Sequence, residues 1–252
     1  MKKPSKLSFL VLGIGDLFTK FYYHTSMIIF ADDFKLLVDF PSPLRKVIYE
    51  ASKKAKFDID VTDINDAILT HVHSDHSNGI ETYGFYKLFF EGKKPTLYTI
   101  PEVKDVLWEN RLKASMGYLT NKNFDFEKQM ILEDYFNIQI LEQGVTNKVG
   151  PFDVKIRRTK HFVPCFGFKI SFDGQIIGYS SDTCFDPEHI NFLSEADLII
   201  HETNGEGHTP YNELLNLSED IKKKLALIHI LDTFDVKKSK LPVLEQGKIY
   251  SV

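Results

Sequence analysis

The hydrophobic pattern of the chain begins with β-strands and then changes to the spacing of a helix. Residues 7–12 form a continuous apolar run, which is typical of a buried strand. Two further apolar stretches, 26–30 and 35–39, flank the short segment 31–34 and therefore predict a β-hairpin. Apolar side chains then recur every three or four positions in residues 44–55, so this segment is predicted to form an amphipathic helix.

The middle of the chain continues with strands and helices in alternation. A strand is expected over residues 64–69 and another over 96–100, after which Pro101 begins a helix. Residues 111–145 mix aromatic and polar side chains without a clear period, so they are predicted to form an insertion. The sequence does not decide between a cap over a site and a contact between subunits for this insertion.

The last part of the chain is again rich in strands. Asp173-Gly174 is a turn pair typical of a hairpin, and residues 211–217 have helical spacing. The predicted strands are 152–158, 166–172, 175–179, 198–200 and 224–230. Because no linker, repeat or low-complexity tract divides the sequence, residues 1–252 are predicted to form a single α/β domain.

Composition narrows the class of protein. The 252 residues are 43% hydrophobic and 26% charged, which is ordinary for a globular protein with a large core. A net charge of -4 indicates no broad basic surface, so no extended nucleic-acid interface is expected. Cys165 and Cys184 form no CxxC pair and indicate reduced thiols. No apolar run reaches 18 residues, and the stretch after residues 1–6 is too short for a signal peptide, so a cytoplasmic location without membrane association is expected.

Three histidines and one aspartate lie close together after the strand predicted at 64–69. They are His71, His73, Asp75 and His76, in the pattern H-x-H-x-D-H. Strand alternation would place His71 and His73 on the same side, and the following turn would bring Asp75 and His76 to a second point. Imidazole and carboxylate groups suit zinc, and two such points imply a two-metal site.

Single residues of the same chemistry recur at the ends of later predicted strands: His161, Asp182 and His229. One histidine in such a place is more often a polar residue with ordinary partners, but together with the cluster these complete a set of seven donors. We expect two metal ions with Asp182 between them. The remaining donors divide into His71, His73 and His161 for one ion and Asp75, His76 and His229 for the other.

The order H-x-H-x-D-H, His161, Ser181-Asp182-Thr183 and His229 resembles the metallo-β-lactamase fold superfamily. The resemblance extends over residues 7–250. It implies an αββα sandwich, in which two mixed β-sheets pack face to face with helices on the outer faces and the site lies at one edge. Asp75 resembles the aspartate of the hydrolase branches that bind two metals. A β-lactamase proper is disfavoured, because an aspartate occupies the bridging position where those enzymes typically have cysteine.

Two later motifs resemble the tRNA 3′-processing endonucleases, the ribonuclease Z branch. His201-Glu202-Thr203 is similar to their His-Glu-Ala-Thr motif, and His208-Thr209 is similar to their second active-site histidine motif. The resemblance implies that these residues face the scissile phosphate, so the expected chemistry is phosphodiester hydrolysis. Asp75 would accept the proton of the nucleophile, and His208, oriented by Glu202, would protonate the leaving oxygen. The alternative that His208 is only a loop residue remains open.

The chain departs from ribonuclease Z between His161 and Asp182. That branch commonly inserts a long Gly/Pro-rich arm there to hold tRNA, whereas the 20 residues here suffice only for a hairpin. No basic patch replaces the arm, although phosphate contacts dominate affinity for a polyanion. A small phosphodiester is therefore the better substrate.

The overall pattern is similar to the small cyclic-nucleotide phosphodiesterases of the superfamily, and most of all to the anti-Pycsar enzymes of phages and bacteria. The segments that carry this similarity are Gly13–Asp16, Leu69–Glu81, Tyr179–Thr183 and His201–Asn204. The resemblance implies hydrolysis of 3′,5′-cyclic mononucleotides to nucleoside 5′-monophosphates, which would defeat cyclic-nucleotide antiviral signalling. Two Zn²⁺ ions per chain, or Mn²⁺ in their place, and a homodimer are expected. A phage-encoded chain would act in the host cytoplasm.

The binding site for the nucleotide base is left open by the sequence. The base is expected to stack on an aromatic residue of 18–23 or of 111–126, although most aromatic side chains of 18–23 are predicted to be core. Three other functions also remain open. They are a ribonuclease Z-like or other nucleic-acid phosphodiesterase, hydrolysis of another small ester, and a metal-stabilised binding protein without turnover.

Overall fold

A computed structural model describes residues 6–252 as two large β-sheets surrounded by short helices. Residues 1–5, on which part of the expectation about a signal peptide rests, lie outside the described residues. The strands are β1 (Ser8–Gly13), β2 (Ser26–Ala31), β3 (Phe34–Val38), β4 (Asp66–Ile68), β5 (Thr96–Thr99), β6 (Tyr118–Thr120), β7 (Phe126–Gln129), β8 (Asn137–Ile140), β9 (Asn147–Val149), β10 (Phe152–Arg158), β11 (Phe166–Phe172), β12 (Gln175–Tyr179), β13 (Leu198–Glu202), β14 (Leu225–Ile228) and β15 (Ile249–Ser251).

The helices lie between these strands and are mostly short. They are α1 (Leu44–Ala55), α2 (Ser74–Ser77), α3 (Ile80–Tyr86), α4 (Pro101–Leu107), α5 (Lys113–Met116), α6 (Leu132–Tyr135), α7 (Pro187–Leu193), α8 (Tyr211–Leu215) and α9 (Glu219–Lys222). π-helical turns at Lys87–Glu91 and Trp108–Leu112 extend α3 and α4. Within residues 6–252, no helix is long and apolar enough to cross a membrane.

Both large sheets contain parallel and antiparallel pairs. The first has the order β15-β1-β2-β3-β4-β5-β8, antiparallel from β15 to β3 and parallel from β3 to β8. The second has the order β14-β13-β12-β11-β10-β9, and only its pairs β12–β13 and β13–β14 are parallel. The predicted mixed sheets are therefore confirmed.

The two sheets pack face to face through one hydrophobic core. Phe34 of the first sheet meets Phe152 of the second edge to face, with ring centroids 5.5 Å apart. Helices cover the outer faces: α1 buries Leu44, Val47, Ile48 and Ala51, as its spacing predicted. A smaller apolar cluster lies under α7 and α8. This is the expected αββα sandwich.

Three local predictions need correction. The predicted insertion at 111–145 includes β8, which pairs with β5 as the edge strand of the first sheet, and only β6 and β7 form a separate small hairpin. The strand expected to continue to Leu69 ends at Ile68. Phe18 and Phe21 are 82% and 64% exposed and Tyr22 and Tyr23 are half-buried, so the prediction that most aromatic side chains of 18–23 are core was wrong. Both cysteines are free in the structure.

Candidate active site

The candidate site lies where strand ends from the two sheets meet. The segment after β4 carries His71, His73, Asp75 and His76. On the other sheet, His161 follows β10, Asp182 follows β12 and His229 follows β14. Packing of the two sheets face to face therefore brings together seven candidate metal donors that are up to 158 positions apart in the sequence.

The local structure of the histidine cluster differs from the prediction. His71 lies in an irregular segment after β4, and His73 is the residue that precedes α2. Strand alternation is therefore not what places the two imidazoles together. Helix α2 carries Asp75 and His76 in a single turn, with backbone bonds from His76 and Ser77 to the His73 carbonyl.

One group of candidate donors consists of His71, His73, His161 and Asp182. Nε2 of His161 lies 2.9 Å from Nδ1 of His73, and Oδ2 of Asp182 lies 3.7 Å from Nε2 of both His71 and His161. Donors that share one zinc ion are about 3.3 Å apart in tetrahedral geometry, since each lies about 2.0–2.1 Å from the ion. The four side chains are thus spaced as a single cation requires.

The second group consists of Asp75, His76, His229 and the same Asp182. Nε2 of His229 lies 3.1 Å from Oδ2 of Asp75 and 3.4 Å from Oδ2 of Asp182. Nε2 of His76 lies 3.3 Å from Oδ1 of Asp182. Asp182 is 2% exposed, and its Oδ2 lies within 3.7 Å of donor atoms from both groups. A carboxylate in this position can be shared between two cations.

Several of these donor atoms are buried without a hydrogen-bond partner in the described part of the chain. They are Nε2 of His71, Nε2 of His76 and Oδ1 of Asp182. A buried polar atom without a partner costs about 1–3 kcal/mol, so such atoms are rare unless something binds them. Their convergence on two points fits two bound cations.

Electrostatics in the site also favour cations. Burial lowers the pKa of His161 to about 4 and holds the pKa of His71 well below its ordinary value, so both rings are neutral and can donate a lone pair. At His229 burial also acts downward, but Asp182 and Asp75 outweigh it and raise the pKa to about 9. The two carboxylates thus attract positive charge, which a bound metal would supply in place of a proton.

A second layer of residues holds the histidines in place, and Asp39 at its centre was not predicted as a site residue. Asp39 follows β3, is fully buried, and accepts hydrogen bonds from the amide and hydroxyl of Thr70 at 2.8 and 2.9 Å. Its Oδ2 also lies 2.8 Å from Nδ1 of His76. The signal for it was available, because Asp39 stands at a strand end as Asp182 does.

Arg111 also holds the segment of residues 72–78, which carries His73 and His76. Its guanidinium donates to the Val72 carbonyl at 3.1 Å and to Oδ1 of Asn78 at 2.5 Å, the two ends of the segment that includes α2. Arg111 lies in the π-helical turn after α4, a geometry often found at functional sites.

Three residues that follow strands toward the site have left-handed backbone conformations. The φ angles are 60° at Asp39, 50° at Ser181 and 58° at His229. This region is unfavourable for residues other than glycine and costs of order 1–3 kcal/mol where the surroundings impose it. The fold accepts this cost at the point where strand ends converge on the candidate site.

Beside the seven donors lies a pair that sequence motifs also predicted, Glu202 and His208. Nδ1 of His208 is 2.9 Å from Oε1 of Glu202, which also accepts a hydrogen bond from the Thr183 amide at 2.7 Å. Burial alone would lower the pKa of His208, but the hydrogen bond and charge of Glu202 raise it above the ordinary value. His208 therefore does have the environment of a proton donor.

A cavity of about 400 Å³ opens over the site. His73, Asp75, Asp182, His208 and His229 line it, together with apolar side chains such as Leu17, Phe18 and Leu231. The volume lies within the range of small-molecule sites, about 300–1,000 Å³. The site can thus admit a small molecule to His73, Asp75, Asp182, His229 and His208.

Solved structures with this fold cover almost the whole chain. The metallo-β-lactamase fold protein YhfI from Bacillus subtilis aligns with a TM-score of 0.74 at 17% identity, covering 98% of this chain and 100% of that one. The short form of human tRNase Z aligns with a TM-score of 0.68 at 17% identity, over 97% and 98% of the two chains. Zn²⁺-bound PqqB from Methylobacterium extorquens has a TM-score of 0.72 at 15% identity, over 97% and 100%. Fold and donor set together define a protein with a metallo-β-lactamase fold and two groups of side chains that could each hold a metal ion.

Sequence comparison then identifies the family. The family model described as Anti-Pycsar protein Apyc1 matches residues 7–250, so the chain belongs to the Anti-Pycsar protein Apyc1 family. The member from Saccharibacillus brassicae is 30% identical over 253 residues, 96% of this chain and 98% of that protein. The member from Bacillus phage BSP38 is 25% identical, over 95% and 96%. The cAMP/cGMP-dependent 3′,5′-cAMP/cGMP phosphodiesterase B of Dictyostelium discoideum is 28% identical over 68% of this chain and 16% of that protein.

Proposed function

We propose that the protein is a dinuclear zinc phosphodiesterase that hydrolyses 3′,5′-cyclic mononucleotides to nucleoside 5′-monophosphates. The observation that carries this proposal is the pair of donor groups sharing Asp182, with the His208–Glu202 pair at the same cavity. The similarity to a cyclic-nucleotide phosphodiesterase supports the substrate class, and the family name supports a role in defeating cyclic-nucleotide antiviral signalling.

The two donor groups would each hold one metal ion. His71, His73 and His161 would hold one and Asp75, His76 and His229 the other, with Asp182 shared. Nitrogen and carboxylate donors of this kind suit Zn²⁺, and Mn²⁺ is the alternative. When bound, the ions supply Lewis-acid chemistry, which lowers the pKa of water and offsets negative charge on phosphate oxygens.

The protein's own residues would move the protons of the reaction. Asp75 is the carboxylate placed to accept the proton of the attacking water, because it lines the cavity and lies beside His229. As the P–O3′ bond breaks, Nε2 of His208 would give its proton to O3′ while Nδ1 stays bound to Glu202. The product that leaves is then a nucleoside 5′-monophosphate with a free 3′-hydroxyl.

The ribonuclease Z-like alternative is supported by the shared fold and by the His201-Glu202-Thr203 and His208 motifs. Two features argue against it. The segment between His161 and Asp182 is taken up by β11, β12 and their tight turn, so it holds no arm for tRNA. The net charge of -4 also offers little attraction for a polyanion.

We further propose that the protein acts as a homodimer in the cytoplasm, which is the host cytoplasm for a phage-encoded chain. Support for the dimer comes from the hairpin of β6 and β7, where Tyr118, Phe124 and Phe126 are 61%, 87% and 64% exposed. Large exposed apolar groups of this kind mark interaction surfaces. The phage relative supports the location. Sedimentation of the purified protein tests the dimer, and a monomer at micromolar concentration would contradict it.

A substrate panel tests the proposed function. Zinc-loaded protein is incubated with cyclic mononucleotides, cyclic dinucleotides and a precursor tRNA, and kcat/KM is measured for each. We expect the cyclic mononucleotides to have the highest values. A far higher kcat/KM for cleavage of the precursor tRNA at its 3′ end would overturn the proposal in favour of the nuclease.

A further inference from the structure

Two phenylalanine rings at the mouth of the cavity have no role in the chemistry described so far. Phe18 is 82% exposed and Phe162 is 75% exposed, and both line the cavity that contains His208 and the shared Asp182. Resting on the proposed function, we propose that Phe18 and Phe162 bind the nucleotide base of the substrate by stacking on its faces.

Hydrogen bonds to two aspartates hold the segment that carries Phe18, although the ring itself is exposed. Thr19 donates from its hydroxyl to Oδ1 of Asp232 at 2.6 Å, and the Lys20 amide donates to Oδ2 of the same carboxylate at 2.8 Å. The Phe18 amide donates to Oδ1 of Asp16 at 3.2 Å. An exposed aromatic ring on a fixed backbone loses little conformational entropy when a ligand binds, which favours affinity.

Phe162 is placed between two parts of the candidate site. It follows His161 directly, and the two ring centroids are 5.5 Å apart. Its ring also occupies the space beside Gly207, where an added Cβ would lie 2.3 Å from the ring. Gly207 has a φ of 81° and precedes His208, so glycine is required there both by the backbone and by the ring. Phe162 is thus seated against the loop that presents the proposed acid.

The cavity has a charged part and an apolar part, as a nucleotide has a charged phosphate and a flat base. The phosphate would lie at the metal donors, where bound cations offset its charge, whereas Phe18 and Phe162 offer apolar faces to the rest of the nucleotide. Stacking of a base on an aromatic side chain contributes about 1–3 kcal/mol and tolerates any base, because each has a π-face. Two rings at the mouth would therefore raise affinity for purine and pyrimidine nucleotides alike.

The test uses two kinds of substrate that share the reacting phosphate. Adenosine and cytidine 3′,5′-cyclic monophosphates carry a base, and methyl ribofuranoside 3′,5′-cyclic phosphate has the same sugar and phosphodiester without one. For Phe18→Ala and Phe162→Ala we expect KM for both nucleotides to rise by about 5- to 150-fold. We expect kcat to stay close to that of the unsubstituted protein, and kinetics on the base-free substrate to be unchanged.

Two further variants serve as controls. Phe162→Tyr keeps the aromatic face and should retain a low KM for the nucleotides. Phe90→Ala removes a ring that is 77% exposed but lies outside the cavity, stacked on Tyr86, and should leave all kinetics unchanged. It matches the loss of exposed aromatic surface without touching the candidate site.

The possible outcomes separate this inference from the proposed function. An unchanged KM for the nucleotides in both alanine variants would overturn the stacking role while leaving the phosphodiesterase intact. Equal losses on the base-free substrate would also overturn it, because they would show that Phe162 only supports the Gly207–His208 loop. If the unsubstituted protein hydrolysed no cyclic mononucleotide, the proposed function and the stacking role would fall together.

Discussion

Asp39 and His76 form the hydrogen bond on which the geometry of the candidate site depends, with Oδ2 of the carboxylate 2.8 Å from Nδ1 of the imidazole. Both side chains are fully buried. The bond fixes the ring so that Nε2 points toward Asp182 at 3.3 Å. The same carboxylate accepts from the Thr70 hydroxyl, which in turn lies 3.1 Å from Nδ1 of His71. One carboxylate therefore orients a histidine in each donor group.

We predict that Asp39→Asn weakens zinc binding by about 10- to 100-fold, because partners that orient metal-binding histidines typically contribute this much. Competition with a chelator measures the affinity. Asp66→Asn is the matched control, since Asp66 accepts from the Tyr98 hydroxyl at 3.1 Å and contacts none of the seven donors. Zinc affinity of the Asp39→Asn variant equal to that of the control would contradict this role.

The shared position of Asp182 predicts the metal content. We expect about two zinc ions per chain in the unsubstituted protein, because two groups of donors meet at this carboxylate. Asp182→Ala should reduce the zinc content and abolish most activity while the far-ultraviolet circular dichroism is retained. Elemental analysis measures the content. Full activity with a single tightly bound ion would contradict the dinuclear assignment.

The pairing of His208 with Glu202 predicts a specific kinetic defect. If His208 protonates the leaving oxygen, His208→Ala should lower kcat by about 10²–10⁴-fold while zinc content stays unchanged. The defect should shrink with a p-nitrophenyl phosphodiester, whose leaving group needs no proton. Equal losses on both substrates, or loss of zinc in the variant, would remove His208 from this role.

Asp66 predicts a dependence of stability on pH that is separate from the site. Burial raises its pKa above the ordinary value, although hydrogen bonds from Tyr98 and Thr96 act in the opposite direction. The stability that protonated Asp66 confers is complete below the pKa of the unfolded chain and is lost as pH rises through the raised folded value.

Asp66→Asn removes this titration. The free energy of unfolding of the variant, relative to the unsubstituted protein, should therefore rise across that pH window and then become constant. Urea unfolding on both sides of the window measures the difference. A difference that does not change with pH would show that the folded pKa is not raised.

Local patterns predicted much of the fold and of the donor set. The hairpin of β11 and β12 forms at Asp173-Gly174, where φ angles of 48° and 78° match the turn that this pair favours. Strand ends marked His161, Asp182 and His229, and the structure brings these residues to the H-x-H-x-D-H cluster. These features were accessible because they depend on short-range spacing and on side-chain chemistry.

Contacts between residues far apart in the sequence could not be predicted from local patterns. Strand β8 is only four residues long, and although Ile138 and Ile140 alternate with polar residues, its place in the sheet is set by pairing with β5, about forty residues earlier. Phe18 is a large apolar residue of the kind usually found in a core, yet the polar contacts of its neighbours hold it at the surface. The hydrogen bond from His76 to Asp39 joins residues 37 positions apart, and no local period encodes it.

The central claim is that the protein hydrolyses 3′,5′-cyclic mononucleotides and that the P–O3′ bond is the one that breaks. The most direct measurement is hydrolysis of adenosine 3′,5′-cyclic monophosphate by the zinc-loaded protein in ¹⁸O-labelled water, followed by mass spectrometry of the separated products. The account predicts adenosine 5′-monophosphate with one ¹⁸O in its phosphate, because water attacks phosphorus and O3′ leaves with the proton of His208. A 3′-monophosphate product, or no turnover by protein that contains two zinc ions, would contradict it.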